Sequence, residues 1–292
     1  MLTKEGRAMV LVSAKGLLER ARAESFAIGG FNVQNLEMVQ AVVLAAQEER
    51  SPVIVQFNPA NVQHVGMVYA AALARAAAQQ VSVPVVLHLD HGVDYPQTAA
   101  ALQAGFTSLM YDGTPFSLEQ NTAVTMRVCA MAHTAGVSVE GEIGQMGGEE
   151  EGVFTANGAG EMTDPEEALE YVQRTGVDSL AIAVGNVHGM QSAEARLDMG
   201  RIAAIRDKVG IPLVIHGGSG VSDEAVREAI ARGVCKFNVA TQLNQSFLRG
   251  FERVRQERPQ DANPRAALAA AREAVKEAVQ ARMRLFGSSG TA

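Results

Sequence analysis

A chain of 292 residues with 47 % hydrophobic and 20 % charged side chains can bury a large core, which excludes disordered and disulfide-knot classes. Its 25 Lys and Arg against 32 Asp and Glu give a net charge of −7, and only 5 % of residues are aromatic, with no Trp. That balance speaks against nucleic-acid or anionic-membrane partners, so an anionic substrate must be held by a local site of amides, metal and a few cations. Two cysteines, Cys129 and Cys235, are too few for a disulfide framework. The short apolar run Met9–Val12, soon followed by Lys15, reads as neither signal peptide nor membrane span, and a reducing cytoplasm is the expected setting.

In chain order, Leu11–Glu24 reads as an amphipathic helix able to close the bottom of a barrel. Strand-like runs follow at Phe26–Val33, Pro52–Asn58, Pro84–Asp90, Ser108–Tyr111, Val137–Ile143, Ser179–Val184, Pro212–His216 and Cys235–Val239. Between them lie helical stretches at Leu36–Arg50, Met67–Gln79, Tyr95–Ala104, Leu118–Thr134, Pro165–Arg174, Glu194–Lys208 and Asp223–Arg232. The strands are continuous apolar runs, as expected when both faces of a parallel sheet are covered. Alternation of this regularity predicts an α/β fold, a single TIM (β/α)8 barrel spanning residues 1–292 as one domain. A two-domain open sheet is the competitor. After Val239 come one helical run, a polar break over Pro259–Pro264, and an Ala-rich, charge-laced run from Arg265 to Leu285 that reads as a surface or oligomer helix.

Chemistry collects at the C-terminal ends of the strands, where barrels build their active sites. The third strand ends His88-Leu-Asp90-His91-Gly92, and Gly92 offers a bend that would bring both Asp90 and His91 to the mouth. His88, further back, reads as a core histidine, and His64 and His133 as ordinary loop and helix residues. The sixth run ends Asn186-Val187-His188-Gly189 and the seventh His216-Gly217-Gly218-Ser219-Gly220, so three of the six histidines stop at strand lips. Three imidazoles from separate strands with an open fourth position match a catalytic zinc site. Glu140 and Glu142 are two apart and share one face of the fifth strand, an arrangement that calls for a cation. The long polar stretch from Gly147 to Glu161 reads as a mobile catalytic loop, with Glu149 and Glu151 as solvated charges. The Gly217–Gly220 turn opens onto Ser222 and a helix, and its amides can cradle a phosphate beside Asn238-Val239-Ala240-Thr241.

These motifs resemble the class II, metal-dependent fructose- and tagatose-bisphosphate aldolase family. The stretches that carry the resemblance are Val85–Gly92, Gly105–Gly113, Val139–Gly144 and Gly147–Glu150, within a likeness running from Gly30-Phe31-Asn32 to Leu285-Phe286-Gly287. The resemblance implies reversible cleavage of a ketose 1-phosphate or 1,6-bisphosphate to dihydroxyacetone phosphate and an aldehyde. It implies His91, His188 and His216 as ligands of a catalytic zinc, with Glu142 as an alternative or second-metal ligand. It further implies Asp90 as the group handling the C4 hydroxyl proton and Glu150 as the group exchanging the C3 proton. Gly189, Gly217, Ser219, Asn238 and Thr241 would hold the dihydroxyacetone phosphate unit, near a monovalent cation such as Na+ or K+. Assembly as a homodimer or homotetramer is implied too, with Arg265 reaching a neighbouring subunit's distal phosphate.

Three departures bear on the substrate. Asn58 stands where the family often has Ser, Gln191 and Ser192 where it has Tyr and Lys, and Ala240 where fructose-bisphosphate members have Asp. The pattern is closer to the tagatose branch. The expected alternatives are a related aldolase with a different or less phosphorylated substrate, and a barrel that binds a sugar phosphate without catalysis. Retention of Asp90, Glu150 and the three histidines argues against the last, because binding alone needs no proton-transfer pair.

Overall fold

The computed structural model describes residues 11–145, 147–148, 160–188 and 195–292. Eight parallel strands close into a barrel in chain order: β1 (Ile28–Asn32), β2 (Val53–Phe57), β3 (Val85–Gly92), β4 (Ser108–Tyr111), β5 (Ser138–Ile143), β6 (Ser179–Ile182), β7 (Leu213–Ile215) and β8 (Val234–Val239). β8 returns to β1 with Phe237 opposite Gly29 and Val239 opposite Phe31, so no edge is left unpaired. The expected TIM barrel is therefore what forms.

Helices begin where short polar side chains can accept backbone N–H groups. Asn35, Asp94, Ser117, Asp164, Asp198 and Ser222 each cap the helix that follows. Alternate strand residues point outward into one aliphatic layer that joins Val53, Val55, Leu87, Leu109, Val139 and Leu180 to the helices. The N-terminal helix, Lys15–Glu24, seals the barrel bottom by packing Leu18 and Ala21 on Ile28, Ile54, Val86 and Cys235. Residues 11–14, expected inside that helix, lie outside it, where Val12 N–H bonds Val85 O at 2.9 Å and Ala14 N–H bonds Ser138 Oγ at 3.1 Å.

Three further expectations are corrected. A helix at Pro59–Val65 was not anticipated, and it takes His64 out of the expected loop. Seven residues are too few for a periodic signal, yet Pro59 presets the first turn and Asn58 with Asn61 forms a reciprocal capping box. The helix expected from Glu194 runs over Met199–Val209, because Asp198 accepts from Arg201 N–H and starts it there. The terminal helix, Arg265–Phe286, is no mere surface element. It buries Ala267, Ala271, Val275, Val279, Met283 and Phe286, and Phe286 stacks on Phe237 with ring centroids 5.2 Å apart. Close approach of the Thr241–Glu257 helix is possible because residue 250 is glycine: a Cβ there would lie 2.6 Å from Ala270 O.

Candidate active site

The site is built around an irregularity in β3. Leu89 faces Leu109 and Gly92 faces Tyr111, so Asp90 and His91 together oppose Met110 alone. This bulge breaks the alternation of a regular strand and turns both neighbours toward the interior. The bend is made by His91 itself, which adopts φ 49°, not by Gly92 as the sequence suggested. A side chain in the left-handed region costs roughly 1–3 kcal/mol, a cost that tends to persist where function holds it. Gly92 serves the bulge differently: a Cβ there would sit 2.5 Å from Met110 O. Gly92→Ala is expected to destabilise the protein by about 1–3 kcal/mol, because backbone must move to admit the methyl group. An unchanged midpoint in urea unfolding would show that the strand gives way freely.

Asp90 is buried and fully engaged. Its Oδ2 accepts from Asn32 Nδ2 at 2.8 Å and its Oδ1 from Asn238 Nδ2 at 2.9 Å, while Asn32 Oδ1 accepts from Gln56 Nε2 at 2.8 Å. Burial alone would push its carboxyl up, but the charges of His91, His216 and Lys236 and the Asn32 amide outweigh that and hold it below the usual range. Asp90 is thus kept as a carboxylate, with two amides fixing its plane.

His91 and His216 meet edge to face, ring centroids 4.5 Å apart, and Glu142 Oε2 lies 3.6 Å from Nδ1 of each ring. Asp112 Oδ2 sits 2.8 Å from His91 Nδ1, and its other oxygen accepts from the Thr114 amide and hydroxyl. Despite burial, His91 is drawn well above its ordinary range by Asp90, Asp112 and Glu142. Burial and the neighbouring Asp112 raise Glu142 well above the carboxylate range, and its Oε2 has no hydrogen-bond partner among the described residues. Among the described residues, two constellations could hold a cation: Asp90, His91 and His216, and His91, Asp112 and Glu142. Three buried carboxylates around two imidazoles form a donor set suited to a divalent ion of borderline softness.

Beneath this cluster Glu140 joins His216 Nε2 at 2.9 Å to Lys236 Nζ at 2.8 Å, all three buried. Lys236 is committed to that carboxylate, which disfavours its use as an imine-forming amine. His88 is a core histidine as expected, its Nδ1 2.8 Å from Ser108 Oγ.

The other expected residues fall in three groups. Gly217 adopts φ 67° and Ser219 lies in the single turn Gly218–Gly220, with Ser219 Oγ accepting from Gln242 N–H at 3.4 Å. Thr241 opens the next helix, whose start has no side-chain cap. Asn58 is buried, but its Oδ1 is occupied as a helix cap, and Arg265 is exposed with its Nε on Asn263 Oδ1 at 3.2 Å. His188 lies in a two-residue ladder beside Gly147–Gly148, six residues beyond the end of β6, so the three histidines do not occupy equivalent lip positions along the barrel strands. Glu150, Gly189, Gln191 and Ser192, with most of the expected mobile loop, lie outside the described residues.

Asp112, Asn32 and Gln56 were missed. The nearest signal was Asp112 at the end of the fourth strand, two residues before Thr114. Asn186 was also passed over; it is buried, accepts from Val184 N–H and donates to His216 O at 3.1 Å, tying the ends of β6 and β7.

Residues 12–291 match the model of the family described as fructose-bisphosphate aldolase class-II. The chain belongs to this family. It is 40 % identical over 288 residues to the fructose-bisphosphate aldolase of Geobacillus stearothermophilus, covering 97 % of this chain and 99 % of that one. It is 37 % identical over 284 residues to the sulfofructosephosphate aldolase of Alkalicoccus urumqiensis, covering 97 % and 99 %. Among solved structures it matches the YdjI aldolase from Escherichia coli K12 with TM-score 0.85 and 35 % identity, covering 97 % of this chain and 99 % of that chain. The class II aldolase family typically uses zinc, and the buried cluster of this aldolase is a candidate for such an ion. No helix among the described residues is long and apolar enough to cross a membrane.

Proposed function

We propose that this chain is a zinc-dependent aldolase that reversibly cleaves a ketose 1-phosphate or 1,6-bisphosphate, of fructose or tagatose type, to dihydroxyacetone phosphate and an aldehyde. The observation that carries the reading is Asp90, a carboxylate clamped by Asn32 and Asn238 beside the His91–His216 pair. Zinc, held by His91, His188 and His216 with Glu142 in reserve, would polarise the ketone-side oxygens and stabilise the negative charge that C3–C4 cleavage releases.

The remaining work falls to side chains. Asp90 takes the proton from the C4 hydroxyl as the C3–C4 bond breaks, and returns it in the synthetic direction. Glu150 delivers a proton to C3 of the departing half. Asn238 steadies Asp90 and the bound unit, while Gly189, Gly217, Ser219 and Thr241 offer neutral donors to its phosphate. Asn58 and Arg265 complete the substrate contacts, the latter across a subunit boundary. The reading further includes a Na+ or K+ ion near the phosphate, a homodimer or homotetramer, a cytoplasmic setting, and one barrel domain over residues 1–292. The uninterrupted family match over 12–291 supports that last point. The sparse aromatics and net charge of −7 support a small-molecule sugar phosphate as partner, with neither nucleic acid nor membrane.

The relatives named for fructose bisphosphate and for sulfofructosephosphate carry different substrate names, so a panel decides the matter. Zinc-loaded protein is offered fructose 1,6-bisphosphate, tagatose 1,6-bisphosphate, sulfofructose phosphate and unphosphorylated fructose. Release of dihydroxyacetone phosphate from at least one phosphorylated ketose is expected. No cleavage of any of them would overturn the proposal in favour of a binding barrel.

A further inference from the structure

We propose that Glu140 and Lys236 form a positioning pair that fixes the tautomer and aim of His216, and through it the affinity of the site for its divalent ion. The inference rests on the metal reading above and assigns a task to two residues that contact neither ion nor substrate in it. The middle layers of a barrel interior are ordinarily filled by branched aliphatic side chains. Here that space holds Lys236 and Glu140, 1 % and 2 % exposed, with Nζ and Oε2 2.8 Å apart. A buried ion pair of this kind adds little net stability, since well-packed apolar residues usually replace it without loss. Its presence needs another reason.

The hydrogen-bond pattern supplies one. Glu140 spends Oε2 on Lys236 and Oε1 on His216 Nε2, at 2.9 Å, so its carboxylate cannot rotate. A carboxylate only accepts, so the His216 hydrogen is on Nε2 and the basic lone pair is on Nδ1. Nδ1 lies on the Glu142 side, 3.6 Å from Oε2, beside the His91 ring. The alternation of β5 therefore stacks two tasks on one face: Glu140 orients from below and Glu142 stands at the ion. Space for the pair is reserved at Gly30, where a Cβ would lie 2.9 Å from Lys236 Cε and 2.3 Å from Gln56 Oε1. Partners that orient a ligating histidine typically change metal affinity about 10- to 100-fold when removed.

The test uses the full chain, stripped of metal and titrated with zinc against a chromophoric chelator, with cobalt(II) absorption as a report on coordination geometry. Glu140→Gln sets an amide donor against the Lys236 ammonium and Lys236→Met leaves the Glu140 carboxylate uncompensated, so each single variant is expected to lose zinc affinity about 10- to 100-fold and to shift the cobalt band. The double variant Glu140→Gln/Lys236→Met leaves an uncharged amide oxygen to accept from His216, and both readouts are expected to return to near the wild-type values. It also removes both buried charges together, so it carries the comparison if a single variant fails to fold. Folded single variants that bind zinc like the wild type, with an unshifted cobalt band, would overturn the proposal, as would a double variant no better than the singles. A wild-type protein that takes up no zinc would instead sink the metal reading itself.

Discussion

Removing divalent metal with a chelator is expected to abolish aldol cleavage, and stoichiometric zinc to restore it. Breaking the C3–C4 bond leaves negative charge on the ketone-side half, and the described site offers no uncommitted cation to meet it. Lys236 is held by Glu140, and His91 is surrounded by Asp90, Asp112 and Glu142. A Lewis acid at such a centre contributes several kcal/mol, and losing about 4 kcal/mol slows a reaction about 1000-fold. His91→Ala or His216→Ala should abolish stoichiometric zinc binding, measured by elemental analysis after gel filtration. Both should also erase the rise in melting temperature that zinc confers on the wild type. Full turnover by a protein shown to be metal-free would refute the lyase mechanism proposed here and return attention to an imine at a lysine.

Asp90→Ala is expected to reduce cleavage by about 100- to 10,000-fold, the range typical of a lost general acid–base group. Part of the exchange of the C3 proton of dihydroxyacetone phosphate with solvent should survive, because a different carboxylate serves that proton. Glu150→Ala should show the converse, with exchange suppressed most. The separation follows from placement: Asp90 is locked by Asn32 and Asn238 in the barrel wall, whereas Glu150 belongs to the stretch after β5. Deuterium exchange followed by proton NMR, beside coupled cleavage kinetics, reads both steps. Equal loss of both activities in both variants would show that one group handles both protons.

Most of the architecture was legible from the chain alone. Eight apolar runs, all but the last followed by a side-chain-capped helix start, leave a parallel barrel as the economical solution, and Lys15–Glu24 carries the apolar stripe that closes its base. The residues His91, His216, Asp90 and Glu142 were legible too, because polar groups at the ends of buried strands have no packing reason to be there. Local signals of this sort survive translation into one dimension. What the chain could not disclose depends on partners far apart in sequence. The bulge at Asp90-His91 is set by pairing against Met110, and the left-handed turn is taken by His91 although glycine is its neighbour. Asn32, Asn238 and Gln56 become an acid's harness only once β1, β2, β3 and β8 close around it. Asp112 likewise becomes an orienting group only when β4 lies beside β3. Lys236 and Glu140 are 96 residues apart, and in the sequence Glu140 reads only as half of an acidic pair with no sign of its cation. A buried charge is tolerable only beside its complement, and only the closed barrel brings those complements within hydrogen-bond reach.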